Sequence, residues 1–193
     1  MLPPDNFQES PRPAVAHRTS PTNIGLYLLS AIAARDFGWA GTLETAERLE
    51  ATFASLQKLA RFKGHFYNWY GTLDLQPLAP AYVSSVDSGN LAGHLIAVAN
   101  ACEEWIGAPQ AEHASTGVLD HLQLAREAMA ALPAASGDEG HQVTAILDEI
   151  DAGLNSQAGW VMPAVLKRLA DKAAKYARAL LPAAADETGA DVV

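Results

Sequence analysis

Thr22-Asn23-Ile24-Gly25-Leu26-Tyr27-Leu28-Leu29-Ser30-Ala31-Ile32-Ala33-Ala34-Arg35-Asp36-Phe37, followed by Gly38, is the stretch on which the fold turns. Wound at 3.6 residues per turn, its apolar positions Ile24, Leu26, Tyr27, Leu28, Leu29, Ile32, Ala33 and Phe37 cover nearly the whole circumference. A helix that is apolar all round belongs inside, covered on every side. Thr22 reads as its N-cap and Gly38 as its stop.

The next helix has the opposite character. Between Thr42 and Gly64, Leu43, Ala46, Leu49, Phe53, Leu56 and Leu59 recur every three or four residues as one stripe, while Glu44, Glu47, Arg48, Glu50 and Lys58 fill the other face. That spacing predicts an amphipathic helix. A buried helix joined by a short glycine-containing turn to an amphipathic one is the layout of a double-layered helical toroid.

Working outward, residues 1–21 carry five prolines and no helical period, so they read as an extended segment. Residues 64–87 read as a long irregular stretch that opens on crowded aromatics. A third helix, mostly small or apolar, is predicted from about Ser88 to Trp105. A more polar fourth spans roughly 111–132. Gly137 and Gly140 bracket a loop near the start of a fifth, which ends near Asn155. A sixth runs from about Trp160 to Leu181. The expectation is therefore an all-α chain: a helical half-barrel over 22–181, about half of an (α/α)6 toroid, with a disordered tail over 182–193.

Composition narrows the function classes. Hydrophobic residues at 49% and charged ones at 18% fit a packed chain rather than a disordered one. The net charge of -9 argues against a nucleic-acid partner, which demands Lys/Arg patches. Cys102 is the single cysteine, so no internal disulfide forms, which fits a reducing compartment. No run of 18 apolar residues supplies a membrane span, and the N-terminus lacks the charged and apolar regions of a signal peptide. The start Leu2-Pro3-Pro4-Asp5-Asn6-Phe7 reads like a cut through a loop. Phosphate loops and paired metal-ligand spacings are missing, and none of the six histidines has a partner on one helix face, so no cofactor or metal is expected.

Two dense segments are left to carry chemistry. His65-Phe66-Tyr67-Asn68-Trp69-Tyr70 sets aromatic rings beside an amide, and Tyr82-Val83-Ser84-Ser85-Val86-Asp87-Ser88-Gly89-Asn90-Leu91 sets a carboxylate and an amide at the mouth of a helix. Sugar rings offer apolar C–H faces to flat aromatics and hydroxyl rims to Asn and Asp. Tyr67, Asn68, Trp69, Asp87 and Asn90 are accordingly the candidate sugar-binding residues. A plainer reading also fits: the aromatics close a core under a long loop, and Asp87 or Ser88 is the N-cap of the third helix.

The strings Leu2–Glu9, His17-Arg18-Thr19-Ser20-Pro21-Thr22-Asn23-Ile24-Gly25-Leu26-Tyr27-Leu28-Leu29 and Ala34-Arg35-Asp36-Phe37-Gly38-Trp39 resemble cyclic β-1,2-glucan synthases. The resemblance continues through 64–69 and 83–95, is dense from residue 2 to about 106, and is loose beyond. It implies a very large inner-membrane protein. A glycosyltransferase region lengthens the glucan from UDP-glucose, a helical middle region closes the ring by transglycosylation, and a phosphorylase-like region adjusts chain length. This chain resembles the opening of that middle region, an (α/α)6 barrel in the family. The implied partners are β-1,2-glucan and the remainder of the synthase chain, and the implied location is the cytoplasmic side of the bacterial inner membrane. Retaining chemistry needs two carboxyls about 5–5.5 Å apart. The resemblance puts the family's catalytic glutamates beyond this chain, so no catalytic residue is assigned and whether the chain is itself an enzyme stays open. The family usually has Asp after Asn-Trp-Tyr, where this chain has Gly71, so any glucan contact of that Asp is missing here. Two rival expectations are a stand-alone helical sugar-binding or scaffold module and a gene remnant without function.

Overall fold

A computed structural model describes residues 2–107, 114–132, 137–155 and 163–180. The fold is all-α, with six helices among the described residues. The strand pairs are two-residue ladders. Compactness divides the chain into two units, Met1–Gly117 and Val118–Val193. The division falls inside the span that the sequence reading treats as one half-barrel. The expected tail over 182–193 and Trp160 lie outside the described residues.

In the first unit, β1 (Phe7–Gln8) pairs with β2 (Ala14–Val15), and β3 (Arg18–Thr19) leads straight into α1 (Pro21–Asp36). Ser20, not Thr22, is the N-cap: its Oγ accepts from the Asn23 N–H at 3.2 Å. Pro21 then takes the first helical position, where its missing N–H costs nothing. Thr22 thus sits inside the first turn with its hydroxyl free for other work. Ile24 and Leu28 are fully buried, each removal from water contributing about 1.5–3 kcal/mol. The helix is not covered on all sides, however: Leu26 is 50% exposed and Phe37 58%.

The amphipathic α2 (Thr42–Lys58) forms as expected, but its buried line is Thr45, Leu49, Thr52, Leu56, and Leu43 is exposed. Threonine can face inward here because Thr45 Oγ1 donates to the Gly41 carbonyl at 3.0 Å and Thr52 Oγ1 to the Arg48 carbonyl at 2.8 Å. A buried hydroxyl with a partner carries little penalty.

The stretch 64–87 is more ordered than its composition suggests. β4 (Arg61–Phe62) and β5 (His65–Phe66) form a hairpin whose two-residue turn, Lys63-Gly64, has positive φ at both positions (48° and 88°), the geometry that matches strand twist. β6 (Tyr70–Gly71) returns to pair antiparallel with β3, placing Arg18 opposite Gly71 and Thr19 opposite Tyr70.

Next, α3 (Ser85–Gly107) packs along α1. The two approach closely at Gly25, where any Cβ would run into the imidazole of His94. Only Leu91 and Val98 of α3 are fully buried, while Val86 (70%), Ile96 (65%) and Ile106 (89%) stand exposed.

The second unit contains α4 (Ala114–Ala130) from Val118 onward, α5 (Gly137–Asn155) and α6 (Pro163–Leu180). Gly137 and Gly140 both lie within α5 rather than in a loop before it. Its core is Leu122, Val143, Ile146, Leu147, Ile150 and Leu169. Arg126 of α4 bridges Asp148 (2.9 Å) and Asp151 (2.8 Å) of α5. None of the five candidate residues lies in this unit. No described helix of either unit is long and apolar enough to cross a membrane.

Candidate sugar-binding site

Four segments of the first unit converge: residues 5–23, the aromatic segment 66–71, Tyr82, and the first turns of α3. Two features of α3 set the geometry. The helix begins at Ser85, three residues earlier than predicted, because Ser84 is its cap: Ser84 Oγ accepts from the Asp87 N–H at 3.1 Å. Asp87 therefore lies within the first turn, not ahead of it, and neither Asp87 nor Ser88 is the N-cap. Its carboxylate projects back toward α1, where Oδ1 accepts from Thr22 Oγ1 at 2.6 Å. Asn90, one turn on, donates from Nδ2 to the same Thr22 oxygen at 3.1 Å.

The other carboxylate oxygen meets Asn68. An amide oxygen cannot face a carboxylate, and an indole N–H can only donate, so the Asn68 orientation follows from its partners. Its Nδ2 donates to Asp87 Oδ2 at 2.7 Å, and its Oδ1 accepts from Trp69 Nε1 and from the Tyr82 hydroxyl, each at 2.8 Å. Asn68 is buried at 6% exposure, and this full set of partners is what makes its burial tolerable. A backbone bond from the Asn68 N–H to the Tyr82 carbonyl, 2.8 Å, fixes the same crossing.

Trp69 is half-buried, and the guanidinium of Arg18 lies over its ring, 4.7 Å from the centroid. Arg18 in turn donates from Nε (3.1 Å) and Nη2 (2.9 Å) to Asp5 Oδ2, while Asn23 Nδ2 donates to Asp5 Oδ1 at 2.9 Å. The bond from Asn23, and after it the bond and charge of Arg18, hold the Asp5 carboxyl below the usual carboxylate range. Consecutive residues of α1, Thr22 and Asn23, so tie down two carboxylates, Asp87 and Asp5.

Of the five residues proposed from sequence, the structure brings Asn68, Trp69, Asp87 and Asn90 into one hydrogen-bonded cluster. Tyr67 stands apart from it. Its ring packs against the core and edge-on to Tyr70, centroids 6.4 Å apart. Tyr70 is fully buried; its hydroxyl donates to the Ala60 carbonyl at 2.7 Å and accepts from the Tyr67 N–H at 2.7 Å, and burial pushes its phenol up. The aromatic segment thus splits into a core anchor, Tyr70, and a polar rim, Asn68-Trp69. Sequence reading missed Thr22, Tyr82, Arg18 and Asp5. Thr22 was legible only through the Ser20-Pro21 pair, which marks the true helix start; nothing local signals the other three.

Gly71 is buried in the β3–β6 ladder, and a Cβ there would run into the Asp74 carboxylate. Asp74 therefore occupies the space that a side chain at position 71 would take.

No protein-family model matches the chain. Among curated proteins it is 55% identical over 135 residues to cyclic β-(1,2)-glucan synthase NdvB of Rhizobium meliloti (strain 1021). Over that stretch the chain resembles a segment of a cyclic β-(1,2)-glucan synthase. The matched stretch covers 69% of this chain and 5% of the length of that protein. A cluster of carboxylate, amides, hydroxyls and an indole offers donors and acceptors suited to hydroxylated rings. Of the four clustered candidates only Asp87 carries a carboxylate.

Proposed function

We propose that the chain acts as a β-1,2-glucan-binding part of the cyclisation region of a synthase, with transglycosylation carried out by carboxylates outside it. The observation that carries this reading is the cluster itself. Asp87 and Asn90 at the head of α3, Asn68 and Trp69 from the aromatic segment, and Thr22 of α1 are held by bonds of 2.6–3.1 Å. A positioning site needs such preorganisation, because ordering the side chains at the moment of binding would cost affinity. We assign Asp87 to orienting sugar hydroxyls rather than to acid catalysis, since a carboxylate accepting from both Thr22 and Asn68 is built to accept, and a general acid must hold a proton.

The exposed apolar side chains of α3, Val86, Ile96 and Ile106, support the toroid reading, in which further barrel helices pack around it. In that arrangement the partners are β-1,2-glucan and the rest of the synthase chain, working on the cytoplasmic side of the inner membrane. The test is activity. The chain by itself should neither cleave nor cyclise β-1,2-glucan, while Asp87→Asn in a complete synthase should lower turnover only in part. Hydrolysis or cyclisation by the chain alone would overturn the assignment.

A further inference from the structure

The geometry points to Arg18, seated on Trp69 by Asp5, as a glucan-positioning residue of the same site. This rests on the reading of the cluster as a glucan-binding site. Trp69 is the residue from which stacking on a sugar ring is most naturally expected. Yet its Nε1–H is spent on Asn68, and the Arg18 guanidinium covers a face of its ring. A sugar stacking on that face would have to displace a cation held by two charge-assisted bonds to Asp5. The group presented outward there is the guanidinium, whose side chain is 51% exposed.

Its remaining chemistry fits a sugar rim. Arginine has five N–H donors. Two go to Asp5 Oδ2, one from Nε and one from Nη2, leaving three, with no other partner among the described residues. A β-1,2-linked glucose spends its C1 and C2 oxygens on the chain and keeps the adjacent 3- and 4-hydroxyls. A planar fork of N–H groups spans such a vicinal pair with two near-parallel bonds, which a lysine ammonium cannot reproduce. The antiparallel β3–β6 ladder puts Arg18 opposite Gly71, two residues beyond Trp69, so the backbone sets the stack and Asp5 locks it. Trp69 is then the platform, and Arg18 the hydrogen-bonding surface.

The experiment is calorimetric titration of the full chain with linear β-1,2-glucooligosaccharides, using Arg18→Lys, Arg18→Ala and Asn90→Ala, with circular dichroism confirming the fold of each. Arg18→Ala should weaken binding roughly tenfold or more, as expected for lost bonds to a charged donor. Arg18→Lys should rescue little of it, although it retains the charge. Weak binding by Asn90→Ala with undiminished binding by Arg18→Ala would overturn the role of Arg18 and leave the glucan site standing. Full rescue by lysine would overturn the bidentate reading in favour of simple charge. No binding by the unaltered chain would overturn the glucan reading itself.

Discussion

Thr22 Oγ1 donates to Asp87 Oδ1 at 2.6 Å, joining the first turns of two helices across 65 residues of sequence. The contact is part-buried, and Asn90 donates to the same Thr22 oxygen, so one hydroxyl organises two candidate ligand residues. Thr22→Val keeps the shape and removes the hydroxyl. It should destabilise the chain by about 1 kcal/mol or more, the net worth of a hydrogen bond to a part-buried carboxylate. Chemical denaturation measures it. An unchanged midpoint would show that water replaces the hydroxyl at no cost.

Asp5 makes a pH prediction. Its carboxyl is held below the usual range by Asn23 and Arg18, so it contributes stability that is present above its unfolded pKa, near 3.9, and lost as pH falls through the lower folded value. Asp5→Asn should therefore be less stable than the parent at neutral pH, with the gap closing as pH drops below about 4. Melting temperatures across the acid range test this. A gap that is constant with pH would mean that the Asp5 contacts are worth no more charged than neutral.

Position 71 tests local packing. Gly71→Asp would push a side chain into the space of the Asp74 carboxylate, with like charges side by side. Overpacking of this kind typically costs about 1–3 kcal/mol. The double variant Gly71→Asp with Asp74→Thr should recover most of the loss in a double-mutant cycle. Additive effects would mean that Asp74 swings clear.

The exposed apolar residues of α3 predict behaviour in solution. Val86, Ile96 and Ile106 are 70%, 65% and 89% exposed. The chain should bind an apolar dye while folded, or self-associate with rising concentration. Sedimentation as a clean monomer that binds no dye would argue that α3 needs no further covering.

How much of this was legible in the sequence follows from the range of each interaction. The helices announce themselves through periodicity, and the two dense strings around Asn68-Trp69 and Asp87-Asn90 hold four residues of the cluster. What escaped is set by caps and long-range pairing. Ser84, three residues before Asp87, was the sign that α3 starts early, and composition cannot choose between Ser84, Asp87 and Ser88 as its cap. Thr45 and Thr52 turn inward on α2 because each hydroxyl finds a carbonyl four residues back, so the leucine stripe alone misplaces the buried face. The meeting of Arg18 with Trp69 depends on a two-residue ladder between segments 52 residues apart, which no local pattern encodes.

The central claim is that β-1,2-glucan binds at the Asn68–Trp69–Asp87–Asn90 cluster, and side-chain nitrogen signals report on it directly. Heteronuclear NMR of the labelled chain, titrated with linear β-1,2-glucooligosaccharide, follows the Trp69 Nε1–H and the Nδ2 amides of Asn68 and Asn90 individually. These resonances should shift together along one binding curve, while the indole of Trp105, which donates to Asp36 Oδ1 at 3.2 Å at the opposite end of α1, stays put. Shifts confined to other residues, or none at saturating glucan, would contradict the account.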